Sequence, residues 1–232
     1  MNPRVLIAFL VCHRYFPMGG RGWDWTNREK HRSNVGDQIS ACRETWVKDL
    51  SAYSNVDYRF FYGRGANRQP LADEVFLNVG DDYRSLPQKT NGVCLWAVER
   101  GYDFIFKTDD DTFVWVNNLM SSGFENYDYV GSVNDMTPSK PYATGLGYWL
   151  SARAAKLVAA ARPNNVLEDH WVGDVLRRAR IMPKHDGRYV SIGSKFVGGE
   201  KMPRNPEFIA VHPCSPSMMY TYAAEAKLHD TV

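Results

Sequence analysis

The stretch from Val5 to Cys12 (VLIAFLVC) is apolar at every position. That predicts a strand covered on both faces, because a half-exposed strand alternates apolar and polar residues. His13 and Arg14 close the run far short of the roughly 20 apolar residues that cross a bilayer. It has neither a basic leader nor a small-residue cleavage site, so it reads as a first core strand rather than an export signal. Residues 13–36 follow with glycines, tryptophans and the mixed-charge run REKHR. A connection that long within a compact domain is either disordered or a functional lid that could close over an active site. From Asp37 onward, Ile39, Cys42, Trp46 and Leu50 recur at the spacing of a helix with one buried face.

The alternation continues. Val56 to Tyr62 and Glu74 to Val79 read as strands, and Leu86-Pro87 opens a helix carrying Val93, Cys94, Ala97 and Val98. Pro87 suits a first helical turn and Gly101 suits the stop. DFIFKTDDDTFVWV is a short strand running into three aspartates and out into a second strand. YATGLGYWLS reads as an irregular strand, ARAAKLVAAA as a helix ended by Pro163, and EDHWVGDVLRRARI as a helix with Val172, Val175, Leu176 and Ala179 on one face. This order predicts an α/β fold with a mostly parallel central sheet flanked by helices. With no internal repeat and no linker-like segment, residues 1–232 are expected to form one domain.

Composition sharpens the exclusions. The 232 residues are 44% hydrophobic and 23% charged, as in an ordinary globular domain. Twenty-eight basic and 26 acidic residues leave a formal charge of +2, too little to draw the whole molecule onto nucleic acid or an anionic membrane. Phosphate binding, if any, is local. Cys12, Cys42, Cys94 and Cys214 form no C-x-x-C pair, which excludes a zinc ribbon and predicts small buried thiols. A soluble, cytoplasmic location is expected.

The chemistry concentrates at Asp109, Asp110 and Asp111. They follow a buried strand and should emerge at its carboxyl end, where open α/β sheets bind their ligands. Three adjacent carboxylates repel one another unless a cation neutralises them, and Mn²⁺ or Mg²⁺ suits carboxylate oxygen. A solvated acidic turn is the alternative, although the apolar flanks FIFKT and TFVWV disfavour it. The chain has no P-loop, no complete dinucleotide fingerprint and no G-x-S-x-G elbow, so a metal held by aspartate would have to carry any diphosphate. Glu168 and Asp169 head a helix, where acidic residues also serve as caps. His212 ends FIAVH, and fits either a core histidine or a third metal ligand. Among the aromatic residues, Trp23, Trp25, Tyr148 and Trp149 stand beside glycines in segments that read as loops, where ligand contact is plausible. The basic residues Arg177, Arg178, Arg180, Lys184 and Arg188 read as a solvated helix face and its exit.

Several of these segments, in this order, resemble the β-1,3-glycosyltransferases that include galactosyltransferases, N-acetylglucosaminyltransferases and Fringe proteins. The matching segments are ACRETW (residues 41–46), DDYRSLPQKT (81–90), FKTDDDTFV (106–114), YATGLGYWLS (142–151), LEDHWVG (167–173) and AVHP (210–213). The resemblance implies a GT-A fold, a UDP-sugar donor, Mn²⁺ (with Mg²⁺ as the alternative) and transfer to a glycan acceptor with inversion. It implies that Asp111 and His212 hold the metal, that Arg43, Asp109, Asp110 and Lys89 contact the donor, and that Asp169 is the general base. Glu168, His170, Tyr148 and Trp149 are implied as acceptor or supporting residues. His170 replaces the small or β-branched residue usual at its position. The stem and anchor of Golgi members have no counterpart, so a soluble form, or one domain of a larger polypeptide, is expected.

Galactose is the first candidate for the transferred sugar, with N-acetylglucosamine next. Two other classes compete. A metal-dependent hydrolase would use the same aspartates to activate water, and a carbohydrate-binding domain would turn nothing over.

Overall fold

The structure, a computed structural model, describes residues 2–15, 18–19, 22–23, 30–31, 34–64, 68–134, 139–192 and 203–229. Trp25 and much of the expected lid at 13–36 lie outside the described residues.

The first run forms β1 (Val5–Leu10), with all six residues buried. Four two-residue strands follow, β2 (Arg14–Tyr15), β3 (Met18–Gly19), β4 (Gly22–Trp23) and β5 (Lys30–His31). They pair as β2 with β5 and β3 with β4, both antiparallel. Helix α1 (Val35–Glu44) is shorter than the periodicity predicts. Thr45 folds its hydroxyl back onto Ala41 O at 2.6 Å, and the chain continues as a 3-10 turn over Trp46–Ala52. The apolar spacing survives that change, since Trp46, Val47 and Leu50 are still buried.

Strands β6 (Val56–Tyr62) and β7 (Glu74–Phe76) come next, β7 stopping short of the predicted Val79. They are followed by α2 (Leu86–Glu99), β8 (Phe104–Asp109), β9 (Phe113–Val114), α3 (Val116–Met120), β10 (Tyr129–Val133) and β11 (Ala143–Ser151). Pro87 lies in the first turn of α2, and Gly101 sits just past its end with φ +69°, a conformation that suits glycine. The chain ends through α4 (Ala152–Ala160), α5 (Glu168–Arg178), β12 (Lys184–His185), β13 (Tyr189–Ser191), β14 (Ala210–His212) and α6 (Pro216–His229).

The central sheet has the order β12-β10-β11-β8-β1-β6-β7. Four of its six pairings are parallel; β11 is antiparallel to both β8 and β10. The sequence expectation of a mostly parallel sheet flanked by helices therefore holds. Alternate residues of β1 divide the core between the two faces. Val5, Ile7 and Phe9 pack with Ile39, Trp46, Phe106 and Val211. Leu6, Ala8 and Leu10 pack with Val93, Cys94, Ala97 and Ile105 on the other side. Each fully buried Val, Leu, Ile or Phe among these contributes roughly 1.5–3 kcal/mol by leaving water. The four cysteines are all buried and unpaired with one another, as predicted. Among the described residues, no helix is long and apolar enough to cross a membrane.

Tyr148 and Trp149 are corrected by the fold. They lie in β11, between β8 and β10, and neither has any exposed surface. Their glycine-flanked sequence mimics a loop, but Gly147 is required by packing. A Cβ there would come within 2.8 Å of the Phe106 ring.

Candidate active site

The register of the parallel strands aligns Leu10 of β1 with Asp109 of β8, so Asp109 emerges at the carboxyl end of the sheet, as expected for a ligand site. A turn follows, closed by the Thr112 N–H donating to Asp109 O at 3.3 Å. It sends the three aspartates in different directions. Asp110 is only 1% exposed and its carbonyl accepts the Cys42 thiol at 3.1 Å. The resemblance implied a donor contact for this residue, and the structure places it in the turn between β8 and β9 as a buried carboxyl. Asp109 and Asp111 remain half-buried, and β14 brings His212 to them by pairing antiparallel with β9. Potential ligand atoms of Asp109, Asp111 and His212 lie within 4.8 Å of one another.

Two carboxylate oxygens and an imidazole nitrogen form a donor set that suits Mn²⁺ and tolerates Mg²⁺ less well. The residues therefore fit the ion that the sequence implied, with Asp109 as an additional ligand. His212 Nδ1 stands 3.2 Å from Asp111 Oδ1 and 3.2 Å from Thr112 Oγ1. Thr112 is itself fixed by donating to Leu146 O at 3.0 Å. Burial works against charge on His212, but the Asp111 carboxylate prevails and raises its pKa.

Beside this group lies a second acidic pair. Helix α5 begins with Glu168 and Asp169, and it approaches β11 closely because Gly173 has no side chain: a Cβ there would meet Tyr142 Cβ at 2.5 Å. The structure distinguishes the two carboxylates. Glu168 is buried; its Oε1 accepts Thr90 Oγ1 at 2.9 Å and the Tyr148 hydroxyl, and its Oε2 lies 3.4 Å from Lys107 Nζ. Asp169 is half-buried and, among the described residues, accepts backbone N–H groups from Gly145 at 3.2 Å and His170 at 2.9 Å. Neither pattern is the cap expected of a helix start, because the N-cap position is Leu167 and no side chain caps it. Burial raises the pKa of both carboxyls.

Lys107 joins the two acidic groups. Its side chain is 2% exposed, and Nζ donates to Asp109 Oδ1 at 2.8 Å and to Gly145 O at 2.6 Å. Burial opposes its charge, but Asp109 and Glu168 outweigh that cost and raise its pKa. Sequence reading passed over this lysine. The signal was a single charge inside FIFKT, a strand otherwise apolar enough to be buried. Tyr83 was also missed. Burial raises the pKa of its phenol, and the charges of Asp169, Asp109 and Glu168 push it further.

The remaining expected residues are distributed more widely. Lys89 is fully buried; it donates to Asp81 Oδ1 at 2.7 Å and to the carbonyl of Val11, just beyond β1. Asp81 also receives Gly63 N–H at 2.9 Å and contacts His13. Lys89 thus ties together the carboxyl ends of β1 and β6 rather than presenting a free ammonium. Arg43 is turned to Asp73 (2.8 and 2.9 Å) and Glu74 (3.1 Å), over the Phe60 ring. Nothing among its described contacts joins it to Asp109, Asp111 or His212. His170 packs its ring 4.0 Å from Tyr142, beside Asp169. Of the loop aromatics, Trp23 has its backbone in β4, and Tyr148 is buried with its hydroxyl donating to Glu168.

No family model matches the chain. Among curated proteins, it is 24% identical over 143 residues to a UDP-GalNAc:beta-1,3-N-acetylgalactosaminyltransferase 2 of Xenopus tropicalis, covering 43% of this chain and 29% of that protein. It is 26% identical over 177 residues to the hydroxyproline O-galactosyltransferase GALT2 of Arabidopsis thaliana, covering 62% of this chain and 26% of that one. The match therefore spans less than a third of either relative. Among solved structures, it is similar to a glycosyltransferase involved in glycosylation of the major capsid of PBCV-1 (TM-score 0.53, 12% identity, 96% of this chain and 100% of that one). It is also similar to the apo-form glycosyltransferase GlyE of Streptococcus pneumoniae (TM-score 0.50, 10% identity, 96% of this chain and 60% of that one).

Proposed function

We propose that this chain, with the fold of nucleotide-sugar transferases, carries the catalytic domain of an inverting glycosyltransferase. It moves a sugar from a UDP-sugar to a hydroxyl of a glycan acceptor in a metal-dependent reaction. The observation that carries the proposal is the placement of two sites side by side. Asp109, Asp111 and His212 offer ligands to one ion, and Asp169 of α5 is linked to Asp109 through Gly145 and Lys107. The names of the curated relatives support sugar transfer, and galactose or N-acetylgalactosamine are the sugars those names print. Galactose is the first candidate.

A divalent ion held by Asp109, Asp111 and His212 would supply Lewis-acid stabilisation to a departing diphosphate. The protein supplies the rest. As a carboxylate held by the backbone N–H groups of Gly145 and His170, Asp169 takes the proton of the acceptor hydroxyl as that oxygen attacks the anomeric carbon. Glu168 does not serve this role, because both of its oxygens are engaged inside the core. It holds Lys107 and the start of α5 in place. One base without a second committed carboxylate gives direct displacement, so an α-linked donor yields a β linkage. The Gly145 segment, held by Asp169 through its N–H and by Lys107 through its carbonyl, keeps base and metal ligands at a fixed separation. This suits transfer, which loses rate steeply when reacting groups are misplaced.

The test is a panel of UDP-sugars with Mn²⁺, scored by UDP release with and without glycan acceptors. Release that depends on an acceptor and forms a new glycoside supports transfer. Free sugar formed equally without an acceptor indicates a hydrolase, and binding without any release indicates a carbohydrate-binding domain.

A further inference from the structure

Lys107 sits where a cation affects metal binding most. It lies two residues before Asp109 on β8, so both side chains project from the same side of the strand. Its three N–H donors face three acceptors, Asp109 Oδ1 at 2.8 Å, Gly145 O at 2.6 Å and Glu168 Oε2 at 3.4 Å. Buried to 98% and fully engaged, the ammonium has no solvent-exposed position to retreat to (its side chain is 2% exposed). An ion on Asp109 would therefore share that carboxylate with a fixed positive charge.

We propose that Lys107 is a built-in counter-ion that weakens the site for a bare divalent ion, so that the ion is held firmly only together with the donor's diphosphate. The inference rests on the proposed metal-dependent transfer and adds an order of binding to it. A metal–oxygen bond is about 2.1 Å long, so an ion on Asp109 would lie within about 5 Å of the ammonium through the shared oxygen and within about 7 Å through the other one. Even in a water-like dielectric, a unit charge at that range changes the affinity for a divalent ion by about tenfold. The diphosphate brings negative charge that offsets Lys107 and completes the ion's oxygen shell. Without it, Lys107 already satisfies Asp109, and the acidic cluster has less need of a metal. A purely positioning role for Lys107 predicts the opposite sign, since losing it would loosen Asp109 and weaken the ion.

The experiment is a Mn²⁺ titration followed by electron paramagnetic resonance of the free ion, with and without UDP, for wild type, Lys107→Met and Lys107→Arg. Lys107→Met is expected to bind Mn²⁺ at least about tenfold more tightly than wild type without UDP, with a smaller gain from adding UDP. Lys107→Arg, which keeps the charge, is expected to behave as wild type. A folded Lys107→Met with unchanged or weaker Mn²⁺ affinity overturns the inference. If that variant does not fold, the double variant Lys107→Met/Glu168→Gln removes the cation with one of its carboxylate partners. It must bind Mn²⁺ more tightly than Glu168→Gln alone, and equal affinity again overturns the inference. Wild-type protein that binds no Mn²⁺ even with UDP would instead remove the proposed metal-dependent function itself.

Discussion

Replacing Asp169 by asparagine separates its catalytic role from its structural one. The wild-type carboxylate accepts two backbone N–H groups, from Gly145 at 3.2 Å and from His170 at 2.9 Å. Asparagine retains one carbonyl oxygen and turns its NH2 donor toward the other backbone N–H, so one of these bonds is lost, a cost of about 1.5–3 kcal/mol for a bond to a charged group. A second effect opposes this. Burial raises the Asp169 pKa, so the fold favours the protonated acid. The stabilisation this gives is full below the ordinary carboxylate pKa and is lost as pH rises through the folded-state value. At neutral pH the wild type therefore bears a penalty that the neutral amide does not. The two effects oppose one another, and urea denaturation should place the variant within about 2 kcal/mol of wild type. Turnover should fall by about 10²–10⁴-fold, the usual contribution of a positioned base, while the calorimetric Kd for the UDP-sugar stays nearly constant. Glu168→Gln should show the reverse balance, because it disturbs contacts with Thr90, Tyr148 and Lys107: stability drops by about 1–3 kcal/mol, and turnover falls less than in Asp169→Asn. A folded Asp169→Asn enzyme that keeps more than about a third of wild-type turnover would refute the assignment of the base.

Other outcomes follow from particular contacts. The anomeric proton coupling of the product, read by NMR, should show a β linkage from an α-linked donor; an α product would overturn direct displacement. Trp149→Ala should destabilise the protein by about 3–5 kcal/mol in chemical denaturation, because Trp149 is fully buried and stacks on Phe124 at 3.7 Å. Glu74 links Arg43 and Arg68, and although burial alone would raise its pKa, the bonds from Arg68 and Arg43 bring it down to about 2. The stability it contributes should be complete above the ordinary glutamate pKa and be lost as pH falls toward about 2. An acid titration of Glu74→Gln that retains the wild-type profile over that range would contradict this.

Much of the architecture was legible because apolar periodicity reports burial directly. β1 announced itself by an unbroken apolar run, α2 by its spacing between Pro87 and Gly101, and β8 by its position before the aspartates. Where reading failed, side chains or close packing had overridden local pattern. Tyr148 and Trp149 looked like loop residues because Gly145 and Gly147 stand just before them, yet Gly147 is there to let the strand lie against Phe106. The run of three aspartates gave no means of ranking its members, since only the turn after β8 buries Asp110 and leaves Asp109 and Asp111 near His212. Arg43 and Lys89 could be named from the resemblance, but their partners at Asp73, Glu74 and Asp81 come from β7 and the segment before α2, and no spacing reveals such long-range pairs. Lys107 escaped notice for the same reason, because its role depends on Gly145 and Glu168 arriving from β11 and α5.

The central claim is that one ion joins this protein to a nucleotide diphosphate through Asp109, Asp111 and His212. Calorimetric titration of UDP into wild type and Asp111→Ala, each with Mn²⁺ and with a chelator, tests it most directly. Wild type should bind UDP tightly only with Mn²⁺, and Asp111→Ala, folded by circular dichroism, should lose that metal-dependent gain. Equal UDP affinity with and without Mn²⁺, or a folded Asp111→Ala protein that binds UDP and Mn²⁺ as the wild type does, would contradict the account.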